Sequence, residues 1–125
     1  MRNFKNIIIT GGAGFIGGCL VRKLIKETDY RIFVIDFMGY ASDLSWLKDY
    51  SYIGNRFSHF KIDISNDNDV NKVIEIANPD LILHLAAESH VDRSLESPQN
   101  FIKSNIVGTF NLLNAAKNHF ETLED

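Results

Sequence analysis

The feature that most constrains this chain is a glycine-rich turn between an apolar run and a helical pattern. Three isoleucines at 7–9 lead into Thr10-Gly11-Gly12-Ala13-Gly14-Phe15-Ile16-Gly17, and apolar residues then recur at helical spacing. Glycine lets the chain bend sharply at 11–12, lets a ligand approach the backbone at Gly14, and lets the helix pack tightly at Gly17. The free N–H groups at the helix start suit bound phosphates. The turn predicts a dinucleotide cradle, the alternative being a tight strand–helix turn without a ligand.

An acidic residue stands at the distance from this turn that a ribose-binding carboxylate needs. Asp36 ends the next apolar run, 19 residues after Gly17, and the dinucleotide fingerprint places its acid about 20 residues on. A carboxylate there can accept both adenosine ribose hydroxyls and repels a 2′-phosphate, which favours NAD over NADP. The alternative is a solvated carboxylate at a strand end.

Hydrophobic periodicity divides the chain into alternating strands and helices. The predicted strands are 5–10, 31–36, 57–63 and 81–85. The predicted helices are 14–27, one that Ser65 or Asn66 caps and that ends at 78–80, and 98–119, with a short helix at 43–47 and a loop at 50–55. The strands are continuously apolar, as in a parallel sheet that is covered on both faces. Right-handed crossovers then predict an α/β fold, an incomplete Rossmann doubly wound parallel sheet of about four strands in the order 3-2-1-4, with helices on both faces.

Composition excludes several classes of function. The 125 residues suit one domain, and a net charge of −3 without a basic cluster argues against nucleic acid or a membrane surface as partner. No apolar run approaches the roughly 18 residues of a membrane span, and the first residues lead into a strand, so no signal peptide is predicted. Cys19 is the only cysteine, which predicts a cytoplasmic chain with a small, buried, inert thiol. His90 and Asp92 are too few ligands for a metal site.

Further candidate residues follow the third and fourth predicted strands. Asp63 either accepts from an adenine amino group, with Ile64 packed on the ring, or caps the next helix. Ala86 and Ala87 either let a flat ligand pass close to the backbone or pack as ordinary small residues. His84 is interpreted as a hydrogen-bonded core histidine.

The segment around the fourth strand resembles a family signature. Residues 80–94, DLILHLAAESHVDRS, are similar to the signature of the dTDP-glucose 4,6-dehydratases, members of the extended short-chain dehydrogenase/reductase superfamily. The glycine turn, the pair at 63–64 and the run FIKSNIVGTFNLL at 101–113 occur in the same order and spacing. The likeness covers nearly the whole chain and is to the N-terminal segment of the family. It implies that 1–125 is part of a dinucleotide-binding Rossmann domain, with no second domain.

The resemblance implies a reaction and a set of binding residues. Family members bind dTDP-glucose or a related nucleotide-sugar and hold NAD tightly. The cofactor takes hydride from sugar C4, water is eliminated across C5 and C6, and hydride returns to C6. The implied cofactor-binding residues are Gly11, Gly14, Phe15, Ile16 and Gly17 for the pyrophosphate, Asp36, Asp63 and Ile64 for the adenosine, Leu85, Ala86, Ala87 and Ser89 for the nicotinamide side, and Ser104 nearby. Ser89 is also implied to face the sugar.

Two departures from the family limit what the resemblance implies. Phe37 and Gly39 stand where the family has a lysine and a threonine after the ribose acid. The family's Tyr-x-x-x-Lys pair and Thr-Asp-Glu triplet, which carry the acid–base chemistry, do not occur in the 125 residues. We therefore expect an NAD-binding portion that is inactive alone. The alternatives are a stand-alone nucleotide-binding or interaction module and one half of a split enzyme completed by a C-terminal half.

The resemblance also bears on assembly. In the family, the helix predicted at 98–119 helps to form a four-helix dimer interface. The fourth strand would have an open, apolar edge in this chain. We therefore expect self-association or marginal stability, with a homo-oligomer as one form.

Overall fold

Strands and helices alternate along the part of the chain that the computed structural model describes, which is residues 5–39, 42–87 and 98–123. The elements are β1 (Asn6–Thr10), α1 (Phe15–Glu27), β2 (Arg31–Ile35), a 3₁₀ segment (Ser45–Arg56), β3 (Phe57–Phe60), α2 (Asp67–Ala77), β4 (Leu81–His84), α3 (Pro98–Ile102), a π-helical turn (Lys103–Val107) and α4 (Gly108–Glu121).

The four strands form one parallel sheet in the order β3-β2-β1-β4. β1 is a central strand: Ile8 lies opposite Phe33 of β2 on one side and Ile82 of β4 on the other. The predicted order is thus confirmed. The strand order reverses between β1 and β4, and ligands of such sheets bind where the strands end at this point.

Apolar layers cover both faces of the sheet, because neighbouring residues of a strand point to opposite sides. Ile7 and Ile9 of β1 pack with Val21 of α1 and with the 3₁₀ segment. Ile8, between them in sequence, packs on the other face with α2 and α4. The predicted helices on both faces are therefore confirmed, and they explain why the strand sequences are apolar without alternation.

The helix α2 begins and ends where the sequence predicts. Asn66 caps its first turn, since its side-chain oxygen accepts a hydrogen bond of 3.2 Å from the N–H of Asp69. Asn78 ends the helix in the left-handed conformation, with Pro79 directly after it. The helical spacing of four apolar residues predicts the buried stripe of α2, and all four are buried: Val70, Val73, Ile74 and Ala77.

The contact face of α1 differs from the prediction. The helical spacing of apolar residues predicts that Phe15, Ile16 and Cys19 lie on the buried face of α1, but all three are exposed. The buried residues of α1 are Gly17, Gly18, Val21 and Ile25. Gly17 and Gly18 occupy the buried face of the first turns of α1, so the large side chains of Phe15 and Ile16 lie on the exposed face. The prediction of a buried Cys19 thiol is wrong for the same reason.

The bounds and types of three further elements differ from the prediction. The loop expected at 50–55 lies within the 3₁₀ segment, which has non-helical backbone at Tyr50 and at Gly54. The helix expected at 98–119 consists of α3, the π-helical turn and α4. β3 ends at Phe60, so Asp63 follows the strand by three residues.

One face of α4 is apolar and open. Its buried residues are Gly108, Leu112 and Ala115, a narrow stripe that packs toward α2. Phe110 and Leu113 are about two-thirds exposed, although the helical spacing of apolar residues in 98–119 predicts Leu113 on the apolar face of this helix. Exposed large apolar side chains on one helix favour association.

We expect the chain to self-associate through this α4 face. Changing Phe110 and Leu113 to lysine should shift the chain to a monomer, because charged side chains resist desolvation in an interface. Size-exclusion chromatography with light scattering measures this mass. The control is Asn114→Lys, which adds a charge at an exposed polar position of the same helix. A wild-type chain that is monomeric at all concentrations would contradict the prediction.

Candidate functional site

The glycine turn lies in contact with the segment that follows β4. Gly11 has a φ of 71°, the left-handed region that glycine adopts without strain, and its N–H donates to the Ile35 carbonyl at 2.8 Å. A Cβ atom at Gly11 would lie 2.8 Å from the Ala86 nitrogen. The turn after β1 and the chain after β4 therefore meet at the reversal point of the sheet.

The start of α1 offers backbone donors, beside this turn, that have no partner within the helix. Gly14 is the N-cap and has no side chain to cap the helix, and the N–H of Gly18 makes the helical bond to its carbonyl at 2.8 Å. The preceding N–H groups, at 15–17, have no partner within the helix. The first turn of α1 also carries no acidic residue. This end of the helix can therefore hold an anion through main-chain donors and the helix dipole.

Phe15 and Ile16 belong to this donor group through their backbone. Their side chains are 86% and 70% exposed and point away from the core. Their predicted contribution to phosphate binding therefore rests on main-chain N–H groups rather than on side-chain contacts.

Gly17 allows α1 to approach the turn. A Cβ atom at Gly17 would lie 2.1 Å from the Gly11 carbonyl oxygen, a distance that no side chain tolerates. The sequence predicts that Gly17 lets the helix pack against its strand. The structure shows that the closest neighbour is the carbonyl of the turn itself.

We expect Gly17→Ala to lower the free energy of unfolding by about 1–3 kcal/mol, the usual cost of overpacking a tight site. Urea unfolding followed by the fluorescence of Trp46, the only tryptophan, measures this change. The matched control is Gly39→Ala, where an added Cβ meets no atom within 4 Å. Equal stability of the two variants would show that the contact at Gly17 is not restrictive.

The Asp36 side chain is hydrogen-bonded to the glycine turn. Its side chain is 7% exposed, and its Oδ2 accepts a hydrogen bond of 3.0 Å from the N–H of Ala13. Its Oδ1 accepts from the Met38 N–H and the Ser42 hydroxyl, each at 2.7 Å. A carboxylate offers about four acceptor positions. Protein donors fill three of them, which leaves about one position for a further donor.

Of the neighbouring residues 63 and 64, the first lies at the surface and the second in the core. Asp63 is exposed, and its Oδ1 accepts from the Ser65 N–H at 2.9 Å. The helix cap is Asn66, so the alternative role of Asp63 as the cap is wrong. Ile64 is buried against α4: a Cβ atom at Gly108 would lie 2.5 Å from its Cγ1. The Ile64 side chain thus packs in the core.

Thr10 organises the segment that follows β4. Its hydroxyl oxygen accepts hydrogen bonds of 3.1 Å from the N–H groups of Leu85 and Ala86, and the Leu85 N–H is also 3.2 Å from the Thr10 carbonyl oxygen. Thr10 is fully buried, while Leu85 and Ala86 are half-buried and Ala87 is exposed. No role was predicted for Thr10 from the sequence. A polar residue at the end of an isoleucine run could have indicated a buried hydrogen-bonding group.

His84 joins Thr10 to α4. Its Nδ1 lies 2.6 Å from the Thr10 hydroxyl, and its Nε2 lies 2.9 Å from the Thr109 hydroxyl. The predicted hydrogen bonding of His84 is confirmed, but its predicted place in the core is wrong because β4 lies at the edge of the described sheet. Partial desolvation lowers the pKa of His84 below its usual 6.5.

This lowered pKa predicts a pH dependence of stability. The unfolded chain takes up the proton more readily than the folded chain, so His84 favours folding above about pH 6.5, and this contribution is lost as pH falls below that value. We expect the unfolding free energy of His84→Gln to fall less between pH 7.5 and 5.5 than that of the wild type. Urea titrations at several pH values measure both slopes, and equal slopes would contradict the assignment.

The structure brings the glycine turn, Asp36 and the segment 85–87 together at one end of the sheet. Ser104 is half-buried in the π-helical turn. Ser89 lies outside the described residues, as do His90, Asp92 and Arg93. Within 5–39, 42–87 and 98–123, no three histidine, cysteine or acidic residues are grouped as metal ligands require. The helices of these same ranges are too short or too polar to cross a membrane.

The sequence of this chain matches a known protein family. The sequence profile of the family described as GDP-mannose 4,6 dehydratase matches residues 8–124. The chain belongs to this family. Among its relatives, the dTDP-glucose 4,6-dehydratase of Haemophilus influenzae is 42% identical over 120 residues, which are 96% of this chain and 35% of the relative. The dTDP-glucose 4,6-dehydratase of Salmonella typhimurium is 45% identical over 117 residues, which are 94% of this chain and 32% of the relative.

Solved structures show the same fold. DesIV, a dTDP-glucose 4,6-dehydratase from Streptomyces venezuelae with NAD bound, superposes with a TM-score of 0.80 and 33% identity over 91% of this chain and 36% of its own. A UDP-glucose-4-epimerase from Stenotrophomonas maltophila with NAD bound superposes with a TM-score of 0.79 and is 27% identical. The superposition covers 93% of this chain and 34% of the epimerase. The resemblance drawn from the sequence is thus confirmed, and the chain spans about a third of the length of these relatives.

Proposed function

We propose that this chain is the NAD-binding portion of a nucleotide-sugar 4,6-dehydratase. One observation carries the proposal: the buried carboxylate of Asp36 is hydrogen-bonded to the Ala13 N–H inside the glycine turn. The carboxylate therefore lies beside helix N–H groups that no side chain caps, which supports a role for Asp36 in binding the ribose of a dinucleotide whose phosphates lie on those N–H groups. The NAD bound to DesIV and to the epimerase supports NAD as the ligand.

Each part of the cofactor has a proposed partner. The pyrophosphate lies on the turn at Gly11 and Gly14 and on the N–H groups at 15–17. Asp36 accepts one ribose hydroxyl at the remaining position of Oδ2, and the exposed Asp63 rather than the buried Ile64 meets the adenine. The nicotinamide side lies along 85–87, with Ser89 and Ser104 as further contacts.

The proposed substrate is dTDP-glucose. NAD, when bound, supplies a hydride acceptor for sugar C4 and returns the hydride at C6. The residues of this chain bind and orient that cofactor, while the family's Tyr-x-x-x-Lys pair and Thr-Asp-Glu triplet are absent from the 125 residues. We therefore propose that these 125 residues alone do not dehydrate dTDP-glucose. Turnover by this polypeptide unaided would contradict that part of the proposal.

The proposal includes a cytoplasmic location. With Cys19 as its only cysteine, the chain has no internal disulfide, as expected in a reducing compartment.

The test of cofactor binding is calorimetric titration with NAD and NADP. We expect the wild-type chain to bind NAD in preference to NADP. Asp36→Asn should weaken NAD binding by roughly tenfold, since it removes a charged hydrogen-bond acceptor, and should reduce the preference for NAD because the repulsion of the 2′-phosphate is lost. The control is Asp29→Asn, which makes the same charge change in the exposed turn before β2. Absence of NAD binding, or equal effects of both changes, would overturn the proposal.

A further inference from the structure

We propose that Thr10, His84 and Thr109 form a directed hydrogen-bond relay that holds the chain after β4 in register with the π-helical turn. In this relay His84 is a positioning residue, fixed as the neutral tautomer with its proton on Nε2. The relay itself follows from the hydrogen bonds of this chain. Its consequence for cofactor binding rests on the function proposed above.

The direction of the first half follows from the donors around Thr10. Its hydroxyl oxygen has two lone pairs and one hydrogen. Two backbone donors approach this oxygen at 3.1 Å, the N–H of Ala86 and the N–H of Leu85, which is shared with the Thr10 carbonyl oxygen at 3.2 Å. The hydroxyl hydrogen is therefore directed at the third neighbour, Nδ1 of His84 at 2.6 Å. Nδ1 must then be the unprotonated, accepting nitrogen of the ring.

The second half continues in the same direction. A neutral imidazole with an accepting Nδ1 carries its proton on Nε2. Nε2 therefore donates to the Thr109 hydroxyl oxygen at 2.9 Å, and the Thr109 hydroxyl donates in turn to the Asn105 carbonyl at 2.8 Å. The opposite tautomer would leave Nε2 without a proton for Thr109, and would place a ring proton against a Thr10 oxygen that two backbone donors already approach.

The relay connects three pieces of the proposed cofactor site. Thr10 directly precedes Gly11 of the turn, and it holds the backbone at Leu85 and Ala86. Asn105, at the far end, lies within the π-helical turn beside Ser104. A threonine hydroxyl that bonds to the carbonyl four residues earlier loosens a regular helix, and π-helical turns are frequent at functional sites. Removing one member should therefore displace the chain on both sides of His84.

The tautomer can be observed without any cofactor. Nitrogen-15 labelling of the histidine rings and proton–nitrogen correlation spectra at pH 7.5 distinguish the two neutral forms, and the His84 signals are identified by their loss in His84→Gln. We expect a protonated Nε2 and an unprotonated Nδ1. A proton on Nδ1, or averaging between both forms, would overturn the relay whatever the chain binds.

The positioning role is tested by cutting the relay at its far end. Thr109→Val keeps the shape of the side chain and removes the hydroxyl. We expect it to weaken NAD binding about fivefold, in line with one net hydrogen bond, and to let the His84 tautomers average. Thr109→Ser keeps the hydroxyl and should restore both. Should Thr109→Val not fold, Thr109→Ala makes the same cut with less bulk.

The outcomes separate the two proposals. A wild-type chain with the Nε2-protonated tautomer but no affinity for NAD would refute the proposed function and leave the relay intact. Unchanged NAD affinity in Thr109→Val, in a wild type that does bind, would refute the positioning role. Loss of affinity in Thr109→Ser equal to that in Thr109→Val would do the same, because it would assign the effect to packing.

Discussion

The structure depends on how closely backbone segments approach one another at Gly11. Its N–H donates to β2, an added Cβ there would strike the chain after β4, and an added Cβ on Gly17 would strike its carbonyl. Two strands and a helix therefore meet at one residue without side chains between them. Packing this close leaves the backbone donors of α1 pointing outward, where a phosphate can reach them. The glycines that allow this close approach thus also shape the candidate site.

Two polar residues are buried in the described part of the chain, and both lie at this end of the sheet. Thr10 holds the chain after β4 and Asp36 holds the glycine turn. A buried polar group is costly unless it is hydrogen-bonded, and each of these makes at least three hydrogen bonds. Their side chains therefore fix the relative positions of turn and strands, which places the site in an already ordered structure.

Local rules account for what the sequence predicted well. A glycine turn, an acid at a set distance and four apolar runs determined the fold class and strand order, since each depends on neighbours close in sequence or on a general topological rule. The failures have a tertiary cause. The face of α1 was misplaced because glycines rather than Phe15 and Cys19 make its contact. The burial of Ile64 beneath α4 could not be predicted, because it depends on a residue 44 positions later. Thr10 was missed because its partners lie more than 70 residues away.

The environment of Asp36 indicates how such a site would choose between cofactors. Protein donors fill three acceptor positions of this carboxylate, so ribose hydroxyls add few new hydrogen bonds. The charge, by contrast, is held in a largely buried position, where repulsion of a second anion is screened less than in water. The residue that follows is Phe37, so no cation stands next to the acid in sequence to offset a 2′-phosphate. Discrimination against NADP would therefore come mainly from electrostatic exclusion, and the hydrogen bonds of Asp36 would serve mainly to hold the glycine turn in place.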